Sequence, residues 1–259
     1  MSNCYKNFPI IVNYSAGSPD NIFSNNASLS ENLDIQNAES LGAKGANTVF
    51  TKTLTQGDLS AESYLYDTDL SIFNNLKGEN DQGITLQFGP YLCPAPCVLS
   101  SLSIDINIGE PITVNRSFNY FGGVSTSTAP TPAIPDLLPI IPENINLNGF
   151  EALGNLTNIQ SISWQFSQSY ETYYLLGESV PKIVFNDGQI TMNVQGEGIS
   201  NALTVNNCAV PPAAYSIDVV DCSGDNVGSL SITGYAQTRT SSVSSDSDEQ
   251  NSVSIIQYL

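Results

Sequence analysis

The sequence predicts an all-β fold, on two observations. Apolar and polar residues alternate with a period of two in many short segments, which is the pattern of half-buried strands, and helix start and stop signals are few. The chain has 259 residues, of which 41% are hydrophobic, so it can bury a sizeable core. We therefore expect antiparallel sheets with one face packed on a core and one face in water.

The clearest alternation lies between Ser161 and Ser167, where Ile162, Trp164 and Phe166 share one face and polar residues occupy the other. This pattern predicts a half-buried strand with Trp164 in the core. Alternation predicts further strands around these apolar residues: Ile84, Leu86, Phe88, Leu102, Ile104, Ile106, Ile108, Ile190, Met192, Val194, Ile217, Val219, Leu230 and Ile232.

Two local signals interrupt this pattern. Asp187-Gly188 separates two apolar stretches and is the residue pair that tight hairpins favour, so we expect a β-hairpin there. Asp67 or Asp69 could cap a short helix that ends at Gly78. Its apolar face would comprise Leu70, Phe73 and Leu76.

Residues 124–150 differ in texture from the rest of the chain. Ser and Thr lead into five prolines, which cannot donate to a sheet ladder, and apolar residues lie between them. We expect an ordered strap that connects two domains. The predicted domains are residues 1–123 and residues 151–259, each a compact β-sandwich or barrel.

Landmarks recur in the same order on either side of this strap, which predicts that the two domains are related by duplication. The corresponding landmarks are Ser28-Leu29 with Ser163-Trp164, Leu41 with Leu176, Phe50 with Phe185, Gly57-Asp-Leu59 with Gly188-Gln-Ile190, Ser101–Ile104 with Ser229–Ile232, and Phe118–Phe121 with Ile256–Leu259. We expect the two halves to superimpose with Leu41 over Leu176 and Phe50 over Phe185.

Composition narrows the function. Seven basic residues against 25 acidic ones give a net charge of −18, which disfavours binding to a phosphate backbone but suits either plain solubility or a channel that passes DNA without gripping it. Histidine is absent, so the usual general base near neutral pH is missing. We predict a non-enzymatic protein with no catalytic residues, no cofactor-binding or metal-binding residues and no cofactor.

The five cysteines are too few and too scattered for a disulfide framework, and we expect most of them to be reduced. Cys93-Pro-Ala-Pro-Cys97 could form a small disulfide loop, a metal site or a plain turn, of which the turn is favoured. No apolar run has the length of a signal-peptide core or a membrane span, so no membrane association is expected.

Three segments carry a family resemblance: Asn7–Asn13, Tyr170–Gly177 leading into the expected hairpin, and Asn251–Leu259. In strand order and texture the chain resembles bacteriophage tail-tube proteins across both halves. The resemblance implies a β-sandwich or partly closed barrel whose edge strands join neighbouring subunits into rings, which stack around a channel for genome passage. A duplicated chain would make a pseudo-hexameric ring from three copies, although six chains with one channel-forming half each would suit the same sequence.

The resemblance also implies partners and a location. The partners would be further copies of the chain, tape-measure, tail-terminator and baseplate or hub proteins, and a sheath where the tail is contractile. DNA would pass through an acidic lumen without specific binding. The protein would be assembled in the host cytoplasm and reside in the virion tail.

Two charged features leave alternatives open. The acidic run Ser244–Glu249 could face the lumen or a stacking interface, but an exposed hairpin loop is favoured. Arg116 and Arg239 could pair with acidic loops across a subunit boundary or within their own domain.

Two other classes of protein compete. A glycoside hydrolase would need a carboxylate pair, yet nothing in the spacing of Glu171, Asp187, Glu197 and Asp218 singles one out. A secreted or surface β-sandwich adhesin or carbohydrate-binding protein would use an aromatic platform. Its candidates are Trp164 and the cluster of Tyr170, Tyr173 and Tyr174, although the apolar neighbours of Trp164 favour a core position.

Overall fold

The computed structural model describes residues 9–14, 18–33, 35–38, 48–51, 55–66, 84–128, 139–150, 158–176, 178, 180–197, 212–220, 224–244 and 247–259. These residues form 17 strands and a single 3₁₀ turn, Pro142–Asn144. Every strand pair among them is antiparallel. The predicted all-β fold is confirmed.

Ten strands form one continuous sheet. In chain order they are β3 (Asn26–Asn32), β6 (Gln56–Tyr64), β9 (Cys97–Asn107), β10 (Thr113–Phe121), β12 (Ile145–Asn148), β13 (Asn158–Tyr173), β14 (Lys182–Glu197), β15 (Ala213–Val220), β16 (Asn226–Ser244) and β17 (Ser247–Tyr258). Their order across the sheet is β12-β15-β16-β17-β14-β13-β9-β10-β6-β3. Strand β16 pairs with β15 through its first half and with β17 through its second half.

The remaining strands form two smaller sheets. A five-stranded sheet comprises β1 (Ile10–Asn13), β2 (Asp20–Ile22), β7 (Thr85–Phe88), β8 (Tyr91–Cys93) and β11 (Ser125–Thr126), in the order β11-β8-β7-β1-β2. A two-stranded ribbon comprises β4 (Ile35–Ala38) and β5 (Thr48–Thr51). No helix among the described residues has the length and hydropathy needed to cross a membrane.

One hydrophobic cluster joins the long sheet and the five-stranded sheet in a sandwich arrangement. It contains Ile10 and Leu86 of the five-stranded sheet, and Leu59, Trp164 and Ile217 from both halves of the long sheet. Burial of this apolar surface is the main stabilising term of such a fold. The two halves are therefore continuous through their core, and also through the pairing of β9 with β13.

The predicted strands are confirmed in their faces. Ile162, Trp164 and Phe166 are all buried, as the alternation requires. One apolar residue departs from the pattern: Ile108 follows the end of β9 in a turn and is 66% exposed. It was predicted to continue the buried face.

The predicted hairpin at Asp187-Gly188 is wrong, because β14 runs straight through both residues. Gln168 pairs with Gly188 and Tyr170 with Phe185, which leaves two residues of β14 opposite one residue of β13. This is a β-bulge, which is another use of a polar residue and a glycine inside a strand. The bulge lies at Asn186 and Asp187, where the strand absorbs a change of phase rather than a change of direction.

Two further predictions fall wholly or partly outside the described residues. The helix expected between Asp67 and Gly78 lies there, as does the proline-rich middle of the strap. The end of the strap packs against the first half of the chain: the Ile140 amide donates to the Leu65 carbonyl at 2.9 Å, and the Ile112 amide donates to the Ile140 carbonyl at 3.2 Å.

Five antiparallel pairings occur in the same order in both halves. In the first half they are β1·β7, β4·β5, β3·β6, β6·β10 and β9·β10. In the second half they are, in the same order, β12·β15, the end of β13·β14 that contains Tyr170 and Phe185, the rest of β13·β14, β14·β17 and β16·β17. Phe50 pairs with Gln36 as Phe185 pairs with Tyr170. Leu41 lies outside the described residues, so its expected superposition on Leu176 stays a prediction.

Several of the sequence landmarks are out of register, including Ser101–Ile104, whose pairing partners match those of the second half of β16. Phe118 is buried in the core, whereas Ile256 lies opposite Thr191 on the other face of the sheet. The residue equivalent to Phe118 is Gln257, which follows Ile256. Gln257 pairs with β14 as Phe118 pairs with β6, so the landmark match is shifted by one residue. The strand pairings recur, but this landmark does not align.

Candidate functional site

The side of the long sheet that faces away from the core forms a polar surface across eight strands, from β16 to β3. We call it the polar face. One row of it, followed through cross-strand pairs, is Asn26, Glu62, Asn115, Ser103, Gln165 and Thr191. The neighbouring row is Ser28, Ser60, Ser117, Ser101, Ser167 and Gln189.

Hydrogen bonds between neighbouring strands order these short side chains. The hydroxyls of Ser28 and Ser60 are 2.7 Å apart, and Ser161 donates to the side-chain oxygen of Gln195 at 3.2 Å. Asn119 donates to Asp58 at 2.5 Å. Cross-strand pairs of this kind stabilise a sheet.

The charged groups that the structure describes on the polar face are carboxylates: Asp58, Glu62, Asp105 and Glu197. The two basic side chains within the described part of the chain lie elsewhere. Arg116 is 3% exposed and lies on the core side of β10, where it donates to the Ser63 hydroxyl at 2.7 Å. Lys182 begins β14, far along the strand from the eight-stranded region. The described polar face therefore carries negative potential.

The polar face is concave near its β3 end. A shallow open groove is lined by side chains of β3, β6, β10, β9 and β13, among them Ser28, Ser60, Ser101, Ser117 and Gln165. Small hydroxyl side chains leave this groove wide and shallow, unlike a pocket that encloses a small ligand.

Each end of the eight-stranded region has an unpaired side in the described part of the chain. Strand β3 pairs only with β6, and residues 235–244 of β16 pair only with β17. Ser28, Thr238 and Thr240 are exposed. Neither edge segment carries a proline or a lysine, which natural proteins use to block edge-to-edge pairing. Both edges are therefore competent to pair with another strand.

Edge strand β3 is held in place by a side chain from two strands away. The Tyr120 hydroxyl donates to the Ser30 carbonyl at 2.6 Å, passing over Gly57 of the intervening strand. A Cβ at Gly57 would lie 2.3 Å from the tyrosine oxygen and 2.0 Å from the Ser30 carbonyl oxygen. Glycine is thus required at this position, and burial raises the pKa of Tyr120.

Beyond the reach of β9, strands β13 and β14 continue as a two-stranded arm with Tyr170–Tyr173 on one side and Lys182–Phe185 on the other. A second hydrophobic cluster fixes its base: Val98, Phe121, Ile183, Tyr170 and Phe185. Tyr170 makes edge-to-face contacts with Phe121 at 5.8 Å and with Phe185 at 6.5 Å between ring centroids. Burial raises its pKa, and the carboxylate of Asp58 adds to the effect.

The aromatic platform proposed from sequence is not assembled as expected. Trp164 is 1% exposed and belongs to the core, so its use as a sugar platform is wrong and its core interpretation is confirmed. Tyr170 is half-buried. Tyr173 and Tyr174 are 49% and 40% exposed at the end of the arm, followed by exposed Leu176.

The nominated carboxylates bind polar neighbours. Glu197 accepts from Asn158 and Gln160, both at 3.0 Å, and Asp218 accepts from Asn148 at 2.6 Å. Glu171 accepts from the Tyr173 hydroxyl, and Asp187 lies in the bulge of β14. Within the described residues, no three Cys, Asp or Glu side chains are grouped so that they could hold a metal ion.

Cys93 and Cys97 are free, buried thiols, so the favoured plain-turn interpretation agrees with the structure and the disulfide alternative is wrong. The Cys97 thiol donates to the Pro94 carbonyl, with sulfur and oxygen 3.2 Å apart. Burial raises the pKa of Cys93 to about 12, with a further contribution from the Glu31 carboxylate. Burial also raises the pKa of Cys97.

The two remaining charged features are partly placed. Arg116 donates to the Ser63 hydroxyl within its own half, and its pairing with an acidic residue stays a prediction. The acidic run Ser244–Glu249 lies where β16 ends and β17 begins, with Ser244 paired to Ser247. The side chains of this run and of Arg239 lie outside the described residues.

By fold, the chain is an antiparallel β-sandwich protein with one sheet extended through both halves. Neither a protein-family model nor a curated protein matches the sequence.

Proposed function

We propose that the chain is a virion structural protein, the tail-tube subunit of a tailed bacterial virus, which assembles into stacked rings around a channel for genome passage. The observation that carries this proposal is the eight-stranded region of the long sheet, which has a polar, acidic face and, in the described part of the chain, no partner strand beyond β3 or beyond the second half of β16. A sheet with two free edges closes when copies join head to tail, and closure removes every edge.

The internal duplication that the proposal includes is supported by the five recurring pairings. A local detail supports it further. Tyr120 covers Gly57 in the first half, and Leu259 covers Gly188 in the second, with the Leu259 Cδ1 atom 3.3 Å from a Cβ built on the glycine. Each chain then contributes two four-stranded units, β3-β6-β10-β9 and β13-β14-β17-β16.

The shared sheet favours three chains per ring over six. Both four-stranded units lie in one sheet, so both would line the channel, and three chains of eight strands make a 24-stranded barrel. With strands spaced about 4.8 Å apart and tilted by about 40°, such a barrel measures roughly 48 Å across between strand axes. This leaves room for a DNA duplex after the short side chains of the polar face are added. Six such chains would double that width.

The composition of the polar face suits passage of DNA. Phosphate contacts by Lys and Arg supply most of the affinity of proteins for DNA, and the described polar face presents hydroxyls, amides and carboxylates instead. In this proposal the lumen repels the genome and lets it slide. The partners are then further copies of this chain and the tape-measure, terminator and hub proteins of a tail.

The proposal is tested by assembly. The purified chain is examined by negative-stain electron microscopy and by mass measurement in solution across protein and salt concentrations. We expect rings or tubes with an axial channel and a ring mass of three chains. A protein that stays monomeric throughout would contradict the proposal.

A monomer that binds glycans, and loses that binding on Tyr173→Ala with Tyr174→Ala, would instead indicate an adhesin or carbohydrate-binding protein. Tyr235→Ala serves as the matched control, because Tyr235 is an exposed tyrosine on a different strand, β16.

A further inference from the structure

We infer that the pairing between β13 and β9 inside the chain is repeated between chains, so that Ser28 of one copy lies directly opposite Thr238 of the next. The inference rests on the proposed function and specifies the interface: β3 of one chain adds antiparallel to the second half of β16 in its neighbour. The partner is a second copy of this chain.

The two halves supply the alignment. Gly57 corresponds to Gly188, because each glycine lies opposite the residue whose side chain covers it. Gly57 pairs with Tyr120, and the Gly188 carbonyl accepts from the amide of Leu259. Moving three residues along both strands, Ser60 corresponds to Thr191. Each of these residues has a paired neighbour that extends the alignment to the next strand.

On one side, Ser60 pairs with Ser28 and Thr191 pairs with Gln165, so Ser28 corresponds to Gln165. On the other side, the correspondence of β10 with β17 places Asn115 at the position of Ser254.

Asn115 pairs with Ser103 and Ser254 pairs with Thr238, so Ser103 corresponds to Thr238. Within the chain Gln165 pairs with Ser103. The equivalent pair between chains is therefore Ser28 with Thr238. Two residues along each strand, the next pair on the same face is Asn26 with Thr240, which is equivalent to Ser163 with Asp105.

On the polar face, the chemistry of the two edges fits this register. Within the chain, the junction places Gln165 and Ser103 on the polar face and Trp164 opposite Ile104 on the core face. Between chains, Ser28 and Thr238 are both exposed hydroxyl side chains on the polar face. The polar rows of the sheet would thus continue across the boundary without a break, which gives a uniform lining around the ring.

Disulfide trapping between two separately produced proteins tests the register. Ser28→Cys protein is mixed with Thr238→Cys protein, allowed to assemble and oxidised mildly. Directly opposed residues of an antiparallel pair have Cα atoms about 4.5 to 5.5 Å apart, within the range that a disulfide bridges. We expect a cross-linked dimer, identified by mass spectrometry as a peptide pair that contains positions 28 and 238, and the same for Asn26→Cys with Thr240→Cys.

Ser28→Cys mixed with Ser254→Cys is the matched control. Ser254 lies in the same row of the polar face but one strand farther on, which adds about 4.8 Å and exceeds the reach of a disulfide. Rings that form without the 28–238 link, or with as much 28–254 link, would overturn the register while leaving the tube proposal standing. Neither rings nor links would overturn both.

Discussion

The Tyr120 hydroxyl donates a hydrogen bond to the Ser30 carbonyl at 2.6 Å. This bond connects β10 to the edge strand β3 across Gly57 of β6, the strand between them. Tyr120→Phe removes this bond while keeping the ring in the core. We expect the free energy of unfolding to fall by about 1 kcal/mol, the usual net value of one hydrogen bond, in denaturant titrations. Tyr235→Phe, at an exposed position, is the control and should change it little.

Gly57 and Gly188 form a matched pair for substitution. A Cβ at Gly57 would meet backbone and a fixed phenol below 2.5 Å, whereas a Cβ at Gly188 first meets the flexible end of Leu259 at 3.3 Å. We expect Gly57→Ala to destabilise the fold by about 2 to 3 kcal/mol and Gly188→Ala by less than about 1 kcal/mol. Equal losses in thermal or denaturant unfolding would contradict the role assigned to Gly57.

Trp164 is a core residue of the long sheet, 1% exposed. Trp164→Ala should therefore lower the free energy of unfolding by about 3 to 5 kcal/mol, as large-to-small changes in a core do. Leu176→Ala, at a fully exposed position, should change it by less than about 0.5 kcal/mol. A Trp164→Ala protein of unchanged stability would contradict the core role of Trp164.

The Cys93 thiol is 0% exposed and its pKa is raised to about 12, so at pH 8 it forms about a thousandfold less thiolate than a thiol of pKa 9. We expect iodoacetamide to leave Cys93 and Cys97 unmodified in the native protein and to modify both after unfolding, as read by peptide mass mapping. Because the raised pKa favours the neutral thiol in the fold, its contribution to stability is complete below pH 9 and is lost as the pH rises towards 12. Rapid native alkylation of Cys93 at pH 8 would contradict this environment.

The polar face should gain affinity for DNA when cations replace its neutral side chains. Ser103→Lys, Gln165→Lys and Asn193→Lys together would place three positive charges inside the proposed ring. We expect the assembled variant to retain duplex DNA, with log affinity falling against log salt at a slope of about −0.9 for each phosphate contact, while the unsubstituted protein retains none.

Lysines at three exposed positions of the first half of β16, Ser229, Ser231 and Thr233, form the control with equal added charge. If that control retains as much duplex DNA, the polar face does not line the channel through which DNA would pass.

Local alternation identified the strands because the face that a strand residue occupies depends only on its position in a period of two. The segments around Trp164, Met192 and Ile217 were therefore found with their buried faces, although no contact partner was known. The absence of histidine and the excess of acidic residues were equally visible in the sequence. Most of the recurring landmarks lie on strands whose pairings recur in both halves, but Phe118 and Ile256 show that a short match cannot fix register to one residue.

The tertiary structure decided what local patterns do not encode. Asp187-Gly188 suits a hairpin turn and a bulge alike, and only the partner strand, paired continuously on both sides, made it a bulge. In the same way, the pairing of β13 with β9 merged the halves into one sheet and left β3 and the second half of β16 as its edges. The sequence by itself determined which residues face the core, because burial follows the period of the chain. Which strands are neighbours, and hence where the sheet ends, depends on long-range pairing that only the folded chain specifies.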